Sequence, residues 1–188
     1  FWLKQKKPKV INVLFVGKLV LNHVKDMALN VMQKKNIYSL IIVLTVFFLD
    51  RVSKYIVLKL SQPLGELNFS ITTFLNFNLV WNNGIAFGLF SFDQNIYYNV
   101  VTSIIILVTL IIIWFAIKSK GLEKISYLII IGGSFGNMFD RLYYSSVIDF
   151  IDISYNNFHW FIFNVADIFI TTGVIILIFL EFLKVKKI

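Results

Sequence analysis

The chain of 188 residues contains no cysteine, only two prolines and few charged residues, 15% of the total. The absence of cysteine excludes disulfides, thiol catalysis and thiolate metal sites. Hydrophobic residues make up 58% of the chain and the mean hydropathy is +0.79, whereas a soluble domain has roughly 45–50% apolar and about 25% charged residues. A soluble enzyme, a disordered chain and a nucleic-acid-binding domain are therefore disfavoured, despite a net charge of +8.

Long apolar segments predict an all-α membrane protein built as a four-helix bundle. A membrane span needs about 20 mostly apolar residues, and suitable segments lie at about residues 38–60, 96–117, 121–143 and 158–181. We therefore expect one four-span domain over residues 32–188. Residues 1–31 contain only a short apolar run, and we interpret them as an N-terminal extension, disordered or upstream of a natural start at Met32.

Lysine is distributed unevenly among the connections, and this distribution predicts the orientation. Lysines precede the first span, occupy the link between the second and third spans and follow the fourth, whereas residues 61–95 and 144–157 contain neither Lys nor Arg. The positive-inside rule then places both termini in the cytoplasm and the two lysine-free connections outside. The orientation in the membrane therefore explains the excess of lysine without any binding to nucleic acid.

Residues 68–82, in the first outer connection, alternate between apolar and polar side chains, with breaks at Phe74 and Val80. Alternation with aromatic and β-branched residues predicts strands, and Asn83-Gly84 is a turn signal. We expect a small β-rich cradle between the first and second spans, on the outer membrane face. The alternation does not decide whether this cradle takes part in a reaction or is only a covering hairpin.

Polar residues that are costly within a membrane gather near the predicted outer surface, which makes them candidates for function. They are Asp50 and Lys54 in the first span, Asn137, Asp140 and Arg141 at the end of the third, Asp149 in the connection, and Asn164 and Asp167 at the start of the fourth. Asp50 and Asp140 each have a cation nearby, so they could simply hold the bundle together. Asp149 and Asp167 have none within four residues.

Two carboxylates held close together favour the activation of water. Because both cannot readily ionise, one keeps its proton. The ionised carboxylate can then take a proton from water as it attacks a carbonyl, while the protonated one donates to the carbonyl oxygen. Asp149 and Asp167 are therefore predicted to be the catalytic pair of an aspartic peptidase that uses neither metal nor cofactor.

Other interpretations are possible. Residues 132–136 match the nucleophile-elbow pattern G-x-S-x-G, but they lie within a span and close helix packing explains them better. Metal ligation by Asp149, Asp152 and Asp167 is conceivable, although no His or Cys is placed to complete the site. A helical transporter or ion-binding channel subunit is the main alternative function, and a non-catalytic assembly factor is a third. The almost wholly apolar inner halves of the spans disfavour transport.

Five motifs in order, from Met32 to the C-terminus, resemble signal peptidase II, the lipoprotein signal peptidase of bacteria. They are Asp50…Lys54, Asn82-Asn83-Gly84-Ile85-Ala86-Phe87, the segment from Gly132 to Arg141, Val147-Ile148-Asp149-Phe150 and Phe163-Asn164-Val165-Ala166-Asp167. The resemblance implies that Asp149 and Asp167 are catalytic. It implies substrate-binding or supporting roles for Asn82, Gly84, Phe87, Asn137, Arg141 and Asn164, with Asp50, Lys54 and Asp140 as structural supports.

The resemblance also implies partners and a location. The substrate would be a prolipoprotein carrying diacylglycerol on a cysteine, cut just before that cysteine. Globomycin, a cyclic peptide, would inhibit, and the enzyme would lie in the bacterial inner membrane with its site near the outer leaflet. The chain departs from the family at Arg51, where a neutral amide is usual, at Trp81, where a basic residue or Tyr is common, and at Ser134, where Ala is frequent.

Overall fold

A computed structural model of the protein describes residues 13–62, 65–84, 95–155 and 158–185. The helices of this part of the chain are α1 Val13–Leu60, α2 Asn95–Lys118, α3 Gly121–Tyr144 and α4 Val165–Val185. The strands are β1 Asn68–Ser70, β2 Leu75–Asn82, β3 Val147–Tyr155 and β4 Phe158–Phe163. The chain divides into two compact units between Tyr38 and Ser39, and every contact described below lies within the second unit.

Two helices, α1 and α4, differ from the predicted spans, and α4 also ends at Val185 rather than at residue 181. Helix α1 begins at Val13 rather than at residue 38, because the preceding segment contains no proline after residue 8 and many good helix formers. Residues 13–31, expected to be an extension, are therefore helical. Helix α4 begins at Val165 rather than at residue 158, since residues 158–163 form a strand. Helices α2 and α3 agree with the prediction to within one residue at each end.

Within the described residues, two helices are long and apolar enough to cross a membrane. They are Tyr98–Lys118, with a mean hydropathy of 3.0, and Val165–Val185, with 2.3. In the most apolar 18-residue stretch of each helix, only 17% and 6% of the residues are buried, and apolar side chains such as Leu107 and Phe179 are exposed. Helices that are apolar all round suit a lipid environment. Helices α1 and α3 carry charged residues within their apolar stretches, so two of the four predicted spans meet this test.

The strands form one antiparallel sheet in the order β1-β2-β3-β4. Asn68 pairs with Asn78 across the first hairpin, and the register between β2 and β3 shifts between Phe77 and Val80. The breaks in the sequence alternation therefore mark two features: Phe74 lies in the hairpin turn, and Val80 borders a bulge.

The cradle is larger than predicted. Two of its four strands, β3 and β4, come from the connection between α3 and α4, whereas the prediction placed the whole cradle between the first two spans. This half of the sheet was missed because the first four residues of β3 are all buried. A strand buried on both faces shows no alternation along its sequence.

Helix α3 contacts α2, α4 and β3. Three of its glycines, Gly132, Gly133 and Gly136, allow close approach. A Cβ at Gly133 would lie 2.7 Å from the Ala166 carbonyl oxygen of α4, and one at Gly136 would lie 2.5 Å from Asp50 Oδ2 of α1. None of these positions could hold a side chain without displacing a neighbour. Close packing, rather than a nucleophile elbow, is the structural role of this glycine segment.

We predict that Gly136→Ala destabilises the protein by about 1–3 kcal/mol, because overpacking against Asp50 outweighs the better helix propensity of alanine, about 1 kcal/mol. Thermal unfolding in detergent measures the effect. Ser103→Ala, at an exposed position of α2, controls for the gain in helix propensity and should leave the unfolding temperature unchanged or slightly raised. An equal effect of both substitutions would contradict the packing argument.

Candidate active site

Asp149 and Asp167 are brought to one cavity by two elements, β3 and α4, that are separated in the chain by strand β4. Asp149 lies on β3 and Asp167 in the first turn of α4, and their side chains are only 2% and 7% exposed. Both line a cavity of about 230 Å³. The two acidic residues without a local cation in the sequence therefore share one enclosed space.

Asn164, the residue before α4, links the two carboxylates. Its Oδ1 accepts a hydrogen bond from the Asp167 backbone N–H at 3.0 Å, and its own N–H donates to Asp167 Oδ2 at 3.2 Å. This reciprocal pair is a capping box, which satisfies backbone groups at a helix start. The Asn164 side-chain Nδ2 donates to Asp149 Oδ1 at 2.6 Å. One asparagine thus begins the helix and fixes both aspartates.

Two further asparagines each hold one aspartate by an amide N–H. Asn82 Nδ2 donates to Asp149 Oδ2 at 2.8 Å, while Asn82 Oδ1 accepts from the Gly84 backbone N–H. Asn137 Nδ2 donates to Asp167 Oδ1 at 2.8 Å, while Asn137 Oδ1 accepts from Lys54 Nζ at 2.9 Å. These opposite contacts fix which side of each amide faces the carboxylate.

Beneath the pair lies a four-charge cluster, composed of Asp50, Arg51, Lys54 and Asp140. Lys54 Nζ lies 3.0 Å from Asp50 Oδ2 and 2.6 Å from Asp140 Oδ2. Arg51 lies 2.7 Å from Asp50 and 2.6 Å from Asp140. Each carboxylate therefore has two cations, which offsets the cost of burying it. The expected pairing of Asp50 with Lys54 is present, and it is part of a larger ionic network.

Arg141 does not serve as the counter-ion of the adjacent Asp140, contrary to the interpretation of the sequence. Neighbouring residues on a helix point about 100° apart, so Asp140 faces α1 while Arg141 faces the cavity. Arg141 Nη2 donates to the Gly84 carbonyl at 2.8 Å, and its Nε is buried without a hydrogen-bond partner among the described residues. Arg141 thus ties the turn after β2 to the cavity wall.

The cavity has walls that the sequence did not single out. Its lining residues are Asn82, Ile105, Ser134, Asn137, Arg141, Val147, Asp149, Asp167, Ile170 and Thr171. Ile105 and Ile170 lie in the short apolar runs 104–108 and 168–170, and an apolar residue within a span gives no signal for a site. Thr171 follows Asp167 by one helical turn, and that spacing could have identified it. Phe87, which the family resemblance implied, lies outside the described residues.

Asp152 lies on the same strand as Asp149 but does not join the pair. Its Oδ2 lies 2.7 Å from His159 Nδ1, and it faces a second cavity over the sheet with Asn76 and Ser154. No group of three or more His, Asp or Glu that could hold a metal occurs among the described residues.

Burial raises the pKa of Asp149 to about 7, and repulsion from Asp167 adds to this effect. Hydrogen bonds from Asn82 and Asn164 and the charge of Lys54 oppose it. The net result places the titration of Asp149 near neutrality, where a carboxyl can both hold and release a proton. The site thus combines an acid–base pair, a small enclosed volume and fixed hydrogen-bond donors.

Comparison with solved structures gives the class of protein. The fold is similar to a bacterial membrane enzyme determined by the in meso method at 2.3 Å, with a TM-score of 0.63 and 30% identity over 78% of this chain and 88% of that one. A second bacterial membrane enzyme, determined in meso at 1.9 Å, matches with a TM-score of 0.60 and 29% identity, over 77% of this chain and 92% of that one. The chain has the fold of a bacterial membrane enzyme.

Sequence comparison then gives the family. Residues 42–183 match the model described as signal peptidase (SPase) II. A lipoprotein signal peptidase of Pelagibacter ubique (strain HTCC1062) is 47% identical over 161 residues, covering 85% of this chain and 97% of the relative. One from Anaplasma phagocytophilum (strain HZ) is 36% identical over 154 residues, or 80% of this chain and 96% of the relative. The chain belongs to the signal peptidase II family. The protease prediction is confirmed, and the transporter alternative is not needed.

The raised pKa of Asp149 has a consequence for stability. In the unfolded chain its pKa is about 3.9, so between pH 4 and 7 the folded state keeps a proton that the unfolded state releases. Stability therefore falls as pH rises through this range, by an amount on the order of 4 kcal/mol for a shift of about three pKa units. Above pH 7 this loss of stability stays constant.

We predict that Asp149→Asn, which cannot ionise, is more stable than the wild type at pH 8 and shows little gain at pH 4.5. The loss of one accepted hydrogen bond, about 1 kcal/mol, reduces the gain at both pH values. Thermal unfolding of the purified proteins at the two pH values tests this, and the comparison at pH 4.5 is the internal control. A gain that is the same at both pH values would contradict the assigned ionisation.

Proposed function

We propose that the protein is an aspartic endopeptidase that removes the signal peptide from diacylglyceryl-modified prolipoproteins, cutting just before the lipidated cysteine. Membership of the signal peptidase II family supports the substrate class, since the relatives named above are lipoprotein signal peptidases. The observation that carries the catalytic type is the pairing of Asp149 and Asp167 in one buried cavity, linked through Asn164.

The arrangement suits the attack of water on a peptide carbonyl. The ionised aspartate takes a proton from water as the water oxygen bonds to the carbonyl carbon, and the protonated aspartate donates to the carbonyl oxygen. The resulting gem-diol collapses when the peptide nitrogen receives the proton taken from water and the C–N bond breaks. The gem-diol hydroxyl returns a proton to the second aspartate, which restores the starting state.

The supporting residues have defined parts in this proposal. Asn82, Asn137 and Asn164 hold the two carboxylates in position through neutral amides, which lower the cost of ionisation without adding a charge. Arg141 and Gly84 form the wall next to Asn82, where they can orient the peptide backbone of the substrate. Phe87 is proposed to contact substrate because it belongs to the same motif as Asn82 and Gly84.

We further propose four spans in the bacterial inner membrane, with both termini in the cytoplasm and the cavity near the outer leaflet. The lysine-free connections that carry the sheet support this orientation. A lipidated peptide could then reach the aspartates without leaving the bilayer. Globomycin-type cyclic peptides are expected to inhibit by occupying the same cavity.

Single Asp149→Asn and Asp167→Asn variants are predicted to lose at least about 10³-fold in cleavage rate, since each removes a group that must transfer a proton. The assay follows release of the signal peptide from a purified diacylglyceryl prolipoprotein. Asp152→Asn, an identical change on the strand of Asp149, should retain activity because Asp152 bonds His159 and not the pair. Full processing by either catalytic-pair variant would overturn the proposal.

The pH profile gives a second test of the pair. Asp149 has a pKa of about 7, so in the proposed reaction it carries the proton that is donated to the carbonyl oxygen below that pH and has lost this proton above it. We therefore predict that kcat falls as pH rises above about 7. The slope of this alkaline limb of the pH–rate profile should correspond to the loss of one proton. A kcat that stays constant from pH 6 to pH 9 in the lipid-reconstituted enzyme would contradict the assignment.

The orientation can be tested directly because the chain has no cysteine of its own. A cysteine introduced at Tyr155, exposed at the end of β3, should react with a membrane-impermeant maleimide in intact spheroplasts. Lys120→Cys, in the link between α2 and α3, is the matched control and should react only after lysis. The reverse labelling pattern would invert the proposed topology.

A further inference from the structure

We propose that Arg51 is a positioning residue for the catalytic pair and acts through the carboxylates of Asp50 and Asp140. The proposal rests on the function proposed above. Arg51 belongs to neither the catalytic pair nor the cavity lining. Its effect on the reaction would pass through the four-charge cluster.

Arg51 joins the two acidic members of the cluster. Its Nη1 donates to Asp140 Oδ1 at 2.6 Å, and its Nη2 donates to Asp50 Oδ2 at 2.7 Å. Both carboxylates are 0% exposed, whereas the Arg51 side chain is 15% exposed. The guanidinium is therefore a bridge between α1 and α3 that reaches the cluster from its outer edge. A planar fork with separate nitrogens suits two carboxylates better than an ammonium does.

Each carboxylate held by Arg51 also holds the backbone next to a catalytic aspartate. Asp50 Oδ1 accepts from the Ala166 N–H at 3.0 Å, and Ala166 directly precedes Asp167. Asp140 Oδ2 accepts from the Ile148 N–H at 3.3 Å, and Ile148 directly precedes Asp149. The start of α4 and the start of β3 are thus fixed by the two carboxylates that Arg51 bridges.

Charge balance explains why the second cation matters. Lys54 alone would leave the two buried carboxylates with one net negative charge, close to the catalytic pair. Lys54 also donates to Asn137, whose amide holds Asp167. With Arg51 present, the cluster is neutral, and the Lys54 ammonium can serve Asn137 as well as the carboxylates. An uncompensated buried charge is strongly unfavourable, so the loss of Arg51 should displace these contacts.

The aromatic surroundings hold Arg51 in place. Its guanidinium carbon lies 4.8 Å from the centre of the Phe139 ring and 6.0 Å from that of Phe47. The two rings contact one another edge to face, with their centres 6.2 Å apart. Cation–π contacts of this kind fix the orientation of a guanidinium. Phe139 precedes Asp140, so the platform and the carboxylate belong to one turn of α3.

The test compares Arg51→Gln with Arg51→Lys in the full-length enzyme, assayed on a diacylglyceryl prolipoprotein in lipid. Arg51→Gln should lower kcat by about 10- to 100-fold, because small displacements of reacting groups have effects of that size, while KM changes less than about twofold. Arg51→Lys keeps the charge and should recover part of the rate. Lys59→Gln, which removes an exposed cation from the same helix, is the matched control and should leave kcat unchanged.

The pH profile separates positioning from loss of structure. Removing a positive charge makes ionisation of Asp149 less favourable, so the alkaline limb of kcat should move to higher pH in Arg51→Gln and stay in place in Arg51→Lys. The charged groups around Asp149 are Asp167 on α4, Lys54 on α1 and Arg141 on α3, and all remain in both variants. If Arg51→Gln folds poorly, Arg51→Lys still tests the proposal. Its kcat should be lower than that of the wild type, while the alkaline limb of its pH profile should lie at the same pH.

Rates are expressed per folded enzyme, measured by circular dichroism. A normal kcat and pH profile in both Arg51 variants, with or without a lower unfolding temperature, would overturn the positioning role. The function itself is judged separately by Asp149→Asn and Asp167→Asn. If either of those variants cleaves the substrate normally, the catalytic pair is wrong, whatever Arg51 does.

Discussion

The buried ion network of Asp50, Arg51, Lys54 and Asp140 is the interaction on which the rest of the site depends. It joins α1 to α3 and, through the Ala166 and Ile148 N–H groups, fixes the starts of α4 and β3. Such a network costs desolvation energy and gives little stability compared with apolar packing. The network instead positions the elements of the site, because α1, α3, β3 and α4 all bind to the carboxylates of Asp50 and Asp140. The glycines of α3 complete the arrangement by allowing the approach.

The pair of aspartates proposed to be catalytic is held differently from this network. Asp149 and Asp167 receive hydrogen bonds from the side-chain amides of Asn82, Asn137 and Asn164. A cation in direct contact would stabilise the ionised form of each carboxylate, and neither would then hold a proton near neutral pH. Neutral donors fix the geometry with a smaller effect on ionisation. The protein thus places its cations one layer away from the carboxylates proposed to exchange protons.

Much of this site could be predicted from the sequence because intramembrane polar residues are rare. In a chain so poor in charge, the depth and spacing of Asp50, Asn137 and Asp167 already indicated a common location. Helices α2 and α3 could be placed to within one residue because Lys118 and Lys120 mark the link between them and polar residues border their other ends. The strand β2 could be recognised from its alternation, and its irregular points were visible in the same pattern.

Other features depend on long-range packing that no local pattern contains. The buried strand β3 lacks alternation, so its contribution to the sheet could not be seen. Asp140 appeared to have Arg141 as its partner, yet the structure pairs it with Arg51, 89 residues away. Ile105 and Ile170 line the cavity, but nothing in the sequence distinguishes them from the other isoleucines of their helices. Tertiary contacts, rather than local preference, decide each of these points.

The order of the helices along the chain has a consequence for biosynthesis. Asp50 lies on α1, which is made long before α3 and α4. Arg51 and Lys54 lie one and four residues after it, so the nascent helix already contains the counter-ions of Asp50. Asp149 and Asp167 are both made late, and their bonds to Asn82 and Asn137 need the completed assembly. The cavity with its two aspartates is therefore complete only after α4, the last of the four helices described, has been made.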